Sequence, residues 1–152
     1  MDQLILGFKF QQKLAWGRLL GNLLSEYIEQ QPINRPDVLI PVPLHPDRLS
    51  ERGFNQALEL ARMLSRAQHV PVERQLCRRL RNTPAQSTLS RKDRRRNIRN
   101  AFAVAGNVQG LKLAIVDDVI TSGSTVNELA LCLKKAGASQ VQVWGIARAA
   151  SH

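Results

Sequence analysis

Cysteine is scarce: Cys77 and Cys132 are the only two in 152 residues. Two thiols cannot build a four-thiolate zinc site, nothing near them has ligand spacing, and as reduced thiols they suit the cytosol. Long hydrophobic runs are missing too. None approaches the roughly 18 residues that a membrane helix needs, so membrane insertion is not expected. The start, Met1-Asp2-Gln3, lacks the basic n-region of a secretory signal, which points to a cytoplasmic chain. There is no internal repeat, no low-complexity tract and no Gly/Ser linker to divide two domains. The reading is therefore one domain over residues 1–152, with a helical segment at 1–31 and a core at 38–152. Hydrophobic content of 43% with 22% charged residues is ordinary for a globular chain and argues against wholesale disorder.

Acid is in short supply as well. Twelve Asp plus Glu stand against 22 Lys plus Arg, leaving a formal charge of +10. The excess is concentrated: between Arg78 and Arg99 there are nine basic residues and a single acid, Asp93. A patch of that density implies an anionic partner, namely phosphate, pyrophosphate or nucleic acid. Aromatic residues are few, and only Phe102 lies near the patch, so a base-stacking platform is poorly supported.

Periodicity gives the organisation. Trp16, Leu19, Leu20, Leu23, Leu24, Tyr27 and Ile28 recur at threes and fours, an amphipathic helix from Gln11 to about Glu29 that Pro32 and Pro36 close. Val38 to Pro43 is a short apolar run of strand length, its prolines suiting the last residues better than the middle. Ala57, Leu60, Ala61 and Leu64 mark a second helix. Pro71 to Leu80 is a poor strand candidate, Asn82 to Asn97 reads as a long mobile loop, and Ala101 to Val104 as a strand beside it. Leu113 to Val116 is a continuous apolar strand of the kind covered on both faces. Val126, Leu129, Ala130, Leu133 and Ala136 mark a helix ending at Gly137, and Val141, Val143 and Ile146 a last strand. Strand, loop, helix and strand form a βαβ unit, so the fold class is α/β with a mostly parallel central sheet flanked by helices.

The chemistry is densest in L-A-I-V-D-D-V-I-T-S-G-S-T-V-N-E, Leu113 to Glu128. The strand delivers Asp117 and Asp118 at its carboxyl end, where open α/β sheets bind ligands. Thr121, Ser122, Gly123, Ser124 and Thr125 are small enough for the backbone to wrap an anion. Thr125 and Glu128 stand in capping-box register, which predicts a helix from about Val126 with its open N–H groups facing the loop. Paired acids beside a phosphate loop suggest a sugar phosphate. No lysine follows the glycine, so this is not a Walker A loop. The competing reading is a surface turn with two solvated aspartates.

This run resembles the ribose-phosphate loop of type I phosphoribosyltransferases, the enzymes that use phosphoribosyl pyrophosphate (PRPP). Pro41-Val42-Pro43-Leu44, then Arg52-Gly53-Phe54-Asn55-Gln56, resembles the signature of the ComF/GntX-like competence-protein family. Leu89, Arg94, Asn97, Ala101, Phe102 and the early Phe8-Lys9-Phe10 fall in the same pattern. Members commonly carry an N-terminal zinc ribbon with CxxC pairs, and no such pair occurs in this sequence. The resemblance implies a type I phosphoribosyltransferase-like fold with residues 38–152 as the PRPP-binding core. It also implies that Asp117 and Asp118 hold the ribose hydroxyls and that Thr121 to Thr125 hold the 5′-phosphate. The loop Leu44 to Arg52 would face pyrophosphate through Arg48 and Arg52, with a solvated side chain the equal alternative for Arg48 and the lesser one for Arg52. The long mobile basic loop, with Arg91, Arg94, Arg95 and Arg96, would close over the site, contact a DNA backbone, or remain solvated. Mg²⁺ is implied as cofactor, arriving on substrate phosphates rather than on a dedicated ligand cluster. Enzymes of this type acting on 6-oxopurines place an aspartate where Thr121 stands, which argues against hypoxanthine or guanine as acceptor. Two functions follow from the resemblance. One is phosphoribosyl transfer to an unidentified acceptor. The other is a PRPP- or nucleic-acid-binding accessory role in DNA uptake, with single-stranded DNA and competence proteins as partners. His45, His69 and His152 receive no role, the tryptophans read as core, and the cysteines as buried thiols.

Overall fold

Because Leu113–Val116 carries no polar residue, the strand containing it can be covered on both faces, and it lies at the centre of the sheet. The computed structural model describes residues 14–83 and 91–149. The elements in chain order are α1 (Leu14–Glu29), β1 (Val38–Pro41), α2 (Pro46–Arg52), α3 (Gln56–Gln68), β2 (Cys77–Arg79), α4 (Arg91–Ile98), β3 (Phe102–Val104), β4 (Lys112–Ile120), α5 (Ser124–Lys135) and β5 (Gln140–Arg148). β4 pairs in parallel with β1 on one side and with β5 on the other. The outer edge of β1 is extended by residues 71–73: Leu39 donates to the Pro71 carbonyl at 2.8 Å and Glu73 to the Leu39 carbonyl at 3.0 Å. β2 and β3 form a separate antiparallel pair.

Strand alternation divides the core in two. Leu113 and Ile115 of β4 join Ile40, Val126, Leu129 and Leu133 on the α5 side, where Cys77, Ile98 and Phe102 complete the cluster. Ala114 and Val116 join Leu39, Leu60, Ala61, Leu64 and Trp144 on the α3 side. α1 lies on α3 rather than on the sheet alone. Its buried line is Leu20 and Ile28 with the small residues Gly21 and Ser25, and Gln68 donates to Ser25 Oγ at 2.7 Å.

Several expectations need correction. Of the apolar residues assigned to one face of α1, Leu19, Leu23 and Tyr27 are exposed. That stripe is wider than the contact with α3 can cover. Cys77–Arg79 forms a strand although only Cys77 is buried, because β3 supplies the hydrogen-bonding partner that local sequence does not reveal. Of the mobile loop expected over 82–97, residues 84–90 lie outside the described residues, and Arg91–Ile98 is helix α4, which anchors through buried Ile98. Arg81 holds its C-terminal end, donating to the carbonyl of Asn97 at 2.7 Å and to that of Arg99. Residues 11–13 of the first helix, Phe8-Lys9-Phe10, Leu89 and the side chain of Trp16 lie outside the described residues. Among the described residues, no helix is long and apolar enough to cross a membrane.

Candidate functional site

Chain direction creates the crevice. After β1 the chain passes through α2 and α3 to residues 71–73 on one side. After β4 it passes through α5 to β5 on the other. The connections therefore diverge between β1 and β4, and a gap opens at their carboxyl ends where a ligand can enter. Val42 still donates to the Val116 carbonyl at 2.9 Å, so the two strand ends are held level. Asn55 fixes the loop that leaves β1. Its Oδ1 accepts from the N–H groups of Ala57 and Leu58 at 3.0 and 3.4 Å, capping α3, while its Nδ2 donates to the Val42 carbonyl at 3.0 Å.

On the β4 side the strand runs on to Ile120, so both acids sit within it rather than past its end. Alternation puts Asp117 in the row of Leu113 and Ile115, and Asp118 in the row of Ala114 and Val116. The carboxylates thus belong to opposite faces and are not one chelating pair. Asp117 Oδ1 accepts the N–H of Asp118 at 3.0 Å. Beyond them, Ser122 Oγ lies 2.8 Å from Ser124 Oγ and accepts the Ser124 N–H at 3.3 Å. Gly123, with φ +76°, is the N-cap of α5, and no side chain caps the helix. The capping box predicted from Thr125 and Glu128 does not form. α5 begins at Ser124, and Glu128 instead accepts the N–H of Asn100 at 2.8 Å. The first helical bond is from Asn127 N–H to the Gly123 carbonyl at 2.9 Å. The amides of Thr125 and Val126 precede it, so they are open donors at the positive end of a twelve-residue helix, a setting that attracts anions.

On the β1 side, the expected loop Leu44–Arg52 contains α2, a helix of seven residues with no buried side chain and hence no apolar period to read. His45 is its N-cap, accepting the Asp47 N–H on Nδ1 at 3.3 Å, and Pro46 opens the first turn. Arg48 and Arg52 stand one helical turn apart on the same face. Arg52 donates to Gln56 Oε1 at 3.5 Å.

A third arginine, missed in the sequence, joins them. Arg79 ends β2, its guanidinium carbon 5.6 Å from the centre of the Phe102 ring, and it donates to Thr83 Oγ1. Burial lowers its pKa, Arg48 and then Arg52 push the same way, and Asp117 opposes them. Strand β2 therefore brings a cation into the electrostatic neighbourhood of Arg48, Arg52 and Asp117. No spacing in the sequence could have signalled it, since β2 reaches the site through pairing with β3. Arg91, Arg94, Arg95 and Arg96 lie on α4. Arg96 is exposed, and the side chains of the other three are outside the described residues. Among the described residues, no three His, Cys, Asp or Glu side chains cluster to hold a metal.

No family model matches the chain. It is 42% identical over 153 residues to competence protein F of Haemophilus influenzae, covering 96% of this chain and 67% of that protein. It is 46% identical over 152 residues to the DNA utilization protein YhgH of Shigella flexneri, covering 97% of this chain and 67% of the relative. Among solved structures, a purine phosphoribosyltransferase from Pyrococcus horikoshii superposes over 88% of this chain and 74% of its own, with a TM-score of 0.55 and 19% identity. At that identity the likeness carries the fold alone. With the α/β architecture, the strand–acid–loop–helix run and these relatives together, the chain belongs to the ComF/GntX-like competence-protein family, built on a type I phosphoribosyltransferase fold.

Proposed function

We propose that this chain binds PRPP with Mg²⁺ in the crevice between β1 and β4 and transfers the phosphoribosyl group to an acceptor in the service of DNA uptake. The observation that carries the reading is a two-sided division of charge at one switch point. Open helix amides with small hydroxyl residues lie on the β4 side, and arginines lie on the β1 side. In this reading the amides of Thr125 and Val126, with Thr121, Ser122 and Ser124, take the 5′-phosphate. Asp117 and Asp118 accept hydrogen bonds from the ribose hydroxyls and orient the ring. Arg48 and Arg52 receive the pyrophosphate. When bound, Mg²⁺ would neutralise phosphate charge and ease departure of the leaving group. As the bond from the anomeric carbon to pyrophosphate breaks, positive charge grows on the sugar, and a carboxylate nearby stabilises it. Thr121 cannot abstract a proton as an aspartate there would, so the acceptor brings its own reactive lone pair.

Exchange of labelled pyrophosphate into PRPP, run over a panel of acceptors, tests the reading. Acceptor-dependent exchange in the wild type, abolished in Asp118→Asn, is the expected result. A folded protein that gives no calorimetric signal with PRPP and Mg²⁺ sinks it.

A second reading draws on α4, where Arg91, Lys92, Arg94, Arg95 and Arg96 face one acid, Asp93, within eight residues, and on the relatives' DNA-related names. In it the protein is a cytoplasmic accessory factor that contacts single-stranded DNA phosphates beside the competence machinery. Salt-sensitive DNA binding, lost when Arg94, Arg95 and Arg96 are neutralised and unaccompanied by exchange, favours it.

A further inference from the structure

The apolar residues of α1 fall on more than one face of the helix, and the core uses only the inner one. That face, Leu20, Gly21, Ser25 and Ile28, is buried. Contact with α3 fixes how the helix is rolled: Gln68 donates to Ser25 Oγ at 2.7 Å, and a methyl group on Gly21 would lie 3.4 Å from Met63 Cε. The outer face is therefore held away from the core. It carries Leu19, Leu23 and Tyr27, exposed by 45%, 49% and 59%. Single apolar residues scattered over a surface need no explanation, but three large ones at a spacing of four form a continuous row two turns long. Beside it runs a polar row, Arg18, Asn22 and Glu26, all exposed. Arg18 and Glu26 are two turns apart, about 12 Å along the axis, whereas side chains pair within a helix at three or four residues. Among the described residues neither joins an ion pair.

We propose that this outer face of α1 is a self-association surface, and that its partner is α1 of a second copy lying antiparallel across a two-fold axis at Leu23. The order of charges along the helix selects that partner. A two-fold axis at Leu23 reverses the helix, so Leu23 meets Leu23 of the other copy and Leu19 meets Tyr27. The same rotation brings Arg18 to Glu26 of the other copy, and the pair is made twice, once on each side of the axis. Asn22 faces Asn22 between them, and each amide has both donors and an acceptor to offer. Apolar contacts at the centre with polar groups at the rim are the usual anatomy of an interface. A parallel copy would set Arg18 beside Arg18 and Glu26 beside Glu26, so the polar row favours the antiparallel form. An occupant of another kind would need an acid near Arg18, a base near Glu26 and apolar groups alongside, and a second copy supplies all three by symmetry. One helix face is a small contact, so the pair is a weak, concentration-dependent dimer rather than an obligate one.

The test is sedimentation velocity on the full chain across about two decades of concentration, with wild type, Leu23→Glu, Arg18→Glu and Glu26→Arg. Wild type is expected to pass from monomer to dimer as concentration rises. Leu23→Glu sets two carboxylates on the axis and should weaken association by about 100-fold. Arg18→Glu and Glu26→Arg each place like charges opposite one another twice, and each alone should weaken it by about tenfold. An equimolar mixture of those two variants brings opposite charges together again across the axis and should recover dimers to near the wild-type extent. All three positions are exposed, so the dilute variants should melt within about 2 °C of wild type. A wild type that stays monomeric throughout overturns the proposal; if Leu23→Glu then also melts lower, the face is covered by its own chain. A dimer that survives Leu23→Glu puts the interface elsewhere and overturns it too. Weakened single variants with no recovery in the mixture overturn the antiparallel two-fold pairing.

Discussion

Gly123→Ala isolates the backbone of the phosphate loop. Gly123 has φ +76° and ψ 0°, a left-handed conformation that costs an L-residue roughly 1–2 kcal/mol. A methyl group there would lie 3.7 Å from Asn127 Nδ2, an ordinary contact, so no clash adds to the cost. Against it stands the lower entropy of an unfolded alanine, which returns about 0.4–1 kcal/mol. The net is a loss of about 1 kcal/mol, or roughly 2–4 °C in melting temperature for a chain of this size. Gly110→Ala is the control. Gly110 has φ +74° with nothing within 4 Å of an added methyl, and it donates to the Gly137 carbonyl, at the amino ends of β4 and β5, away from the crevice. Urea denaturation should give the two variants similar losses. Calorimetry should then separate them: a local shift at Gly123 misaligns the Thr125 and Val126 amides, so Gly123→Ala alone loses affinity for ribose 5-phosphate. Wild-type stability in Gly123→Ala, or equal loss of ligand in both variants, refutes the reasoning.

Asn55→Ala should cost about 2 kcal/mol in urea denaturation, because it removes the N-cap of α3 and leaves the Val42 carbonyl without its Nδ2 donor. A change below about 0.5 kcal/mol would mean that water replaces both bonds. Burial, with Cys132 beside it, pushes the Cys77 thiol up to about 12 from 9.0. The folded state thus keeps a proton that the unfolded state releases, so stability is full below pH 9 and falls as pH rises from there towards 12. The slope should approach about 1.4 kcal/mol per pH unit in that window and shrink in Cys77→Ala, where the Cys132 thiol, also pushed up by burial, still contributes; an identical slope in the variant assigns it to other groups. At pH 8, native Cys77 should react with a thiol reagent only after unfolding.

What could be read from the sequence was what a segment does by itself. The run Leu113–Val116 has no polar residue to place in water, so its role as a central strand was legible. The Ala57, Leu60, Ala61 and Leu64 spacing specified α3 because all four positions are buried. The two helices that escaped detection have little or nothing buried: α2 has no buried side chain, and α4 is charged along its length and held by Ile98 and by Arg81 at its C-terminal end. The Thr125–Glu128 capping box looked sound locally and failed because a distant partner, the Asn100 amide, took the Glu128 carboxylate. Non-local competition for a side chain has no trace in spacing.

The candidate site shows the same boundary more sharply. The acids and hydroxyl residues of the β4 loop are contiguous, so one strand–turn–helix unit positions them and a linear motif can describe them. The arginines come from α2 and β2, and strand order rather than spacing sets where those elements lie: β1 beside β4, and β2 folded onto β3. The parallel pairing of β1 with β4 closes a loop of more than seventy residues, a contact that local propensity does not encode.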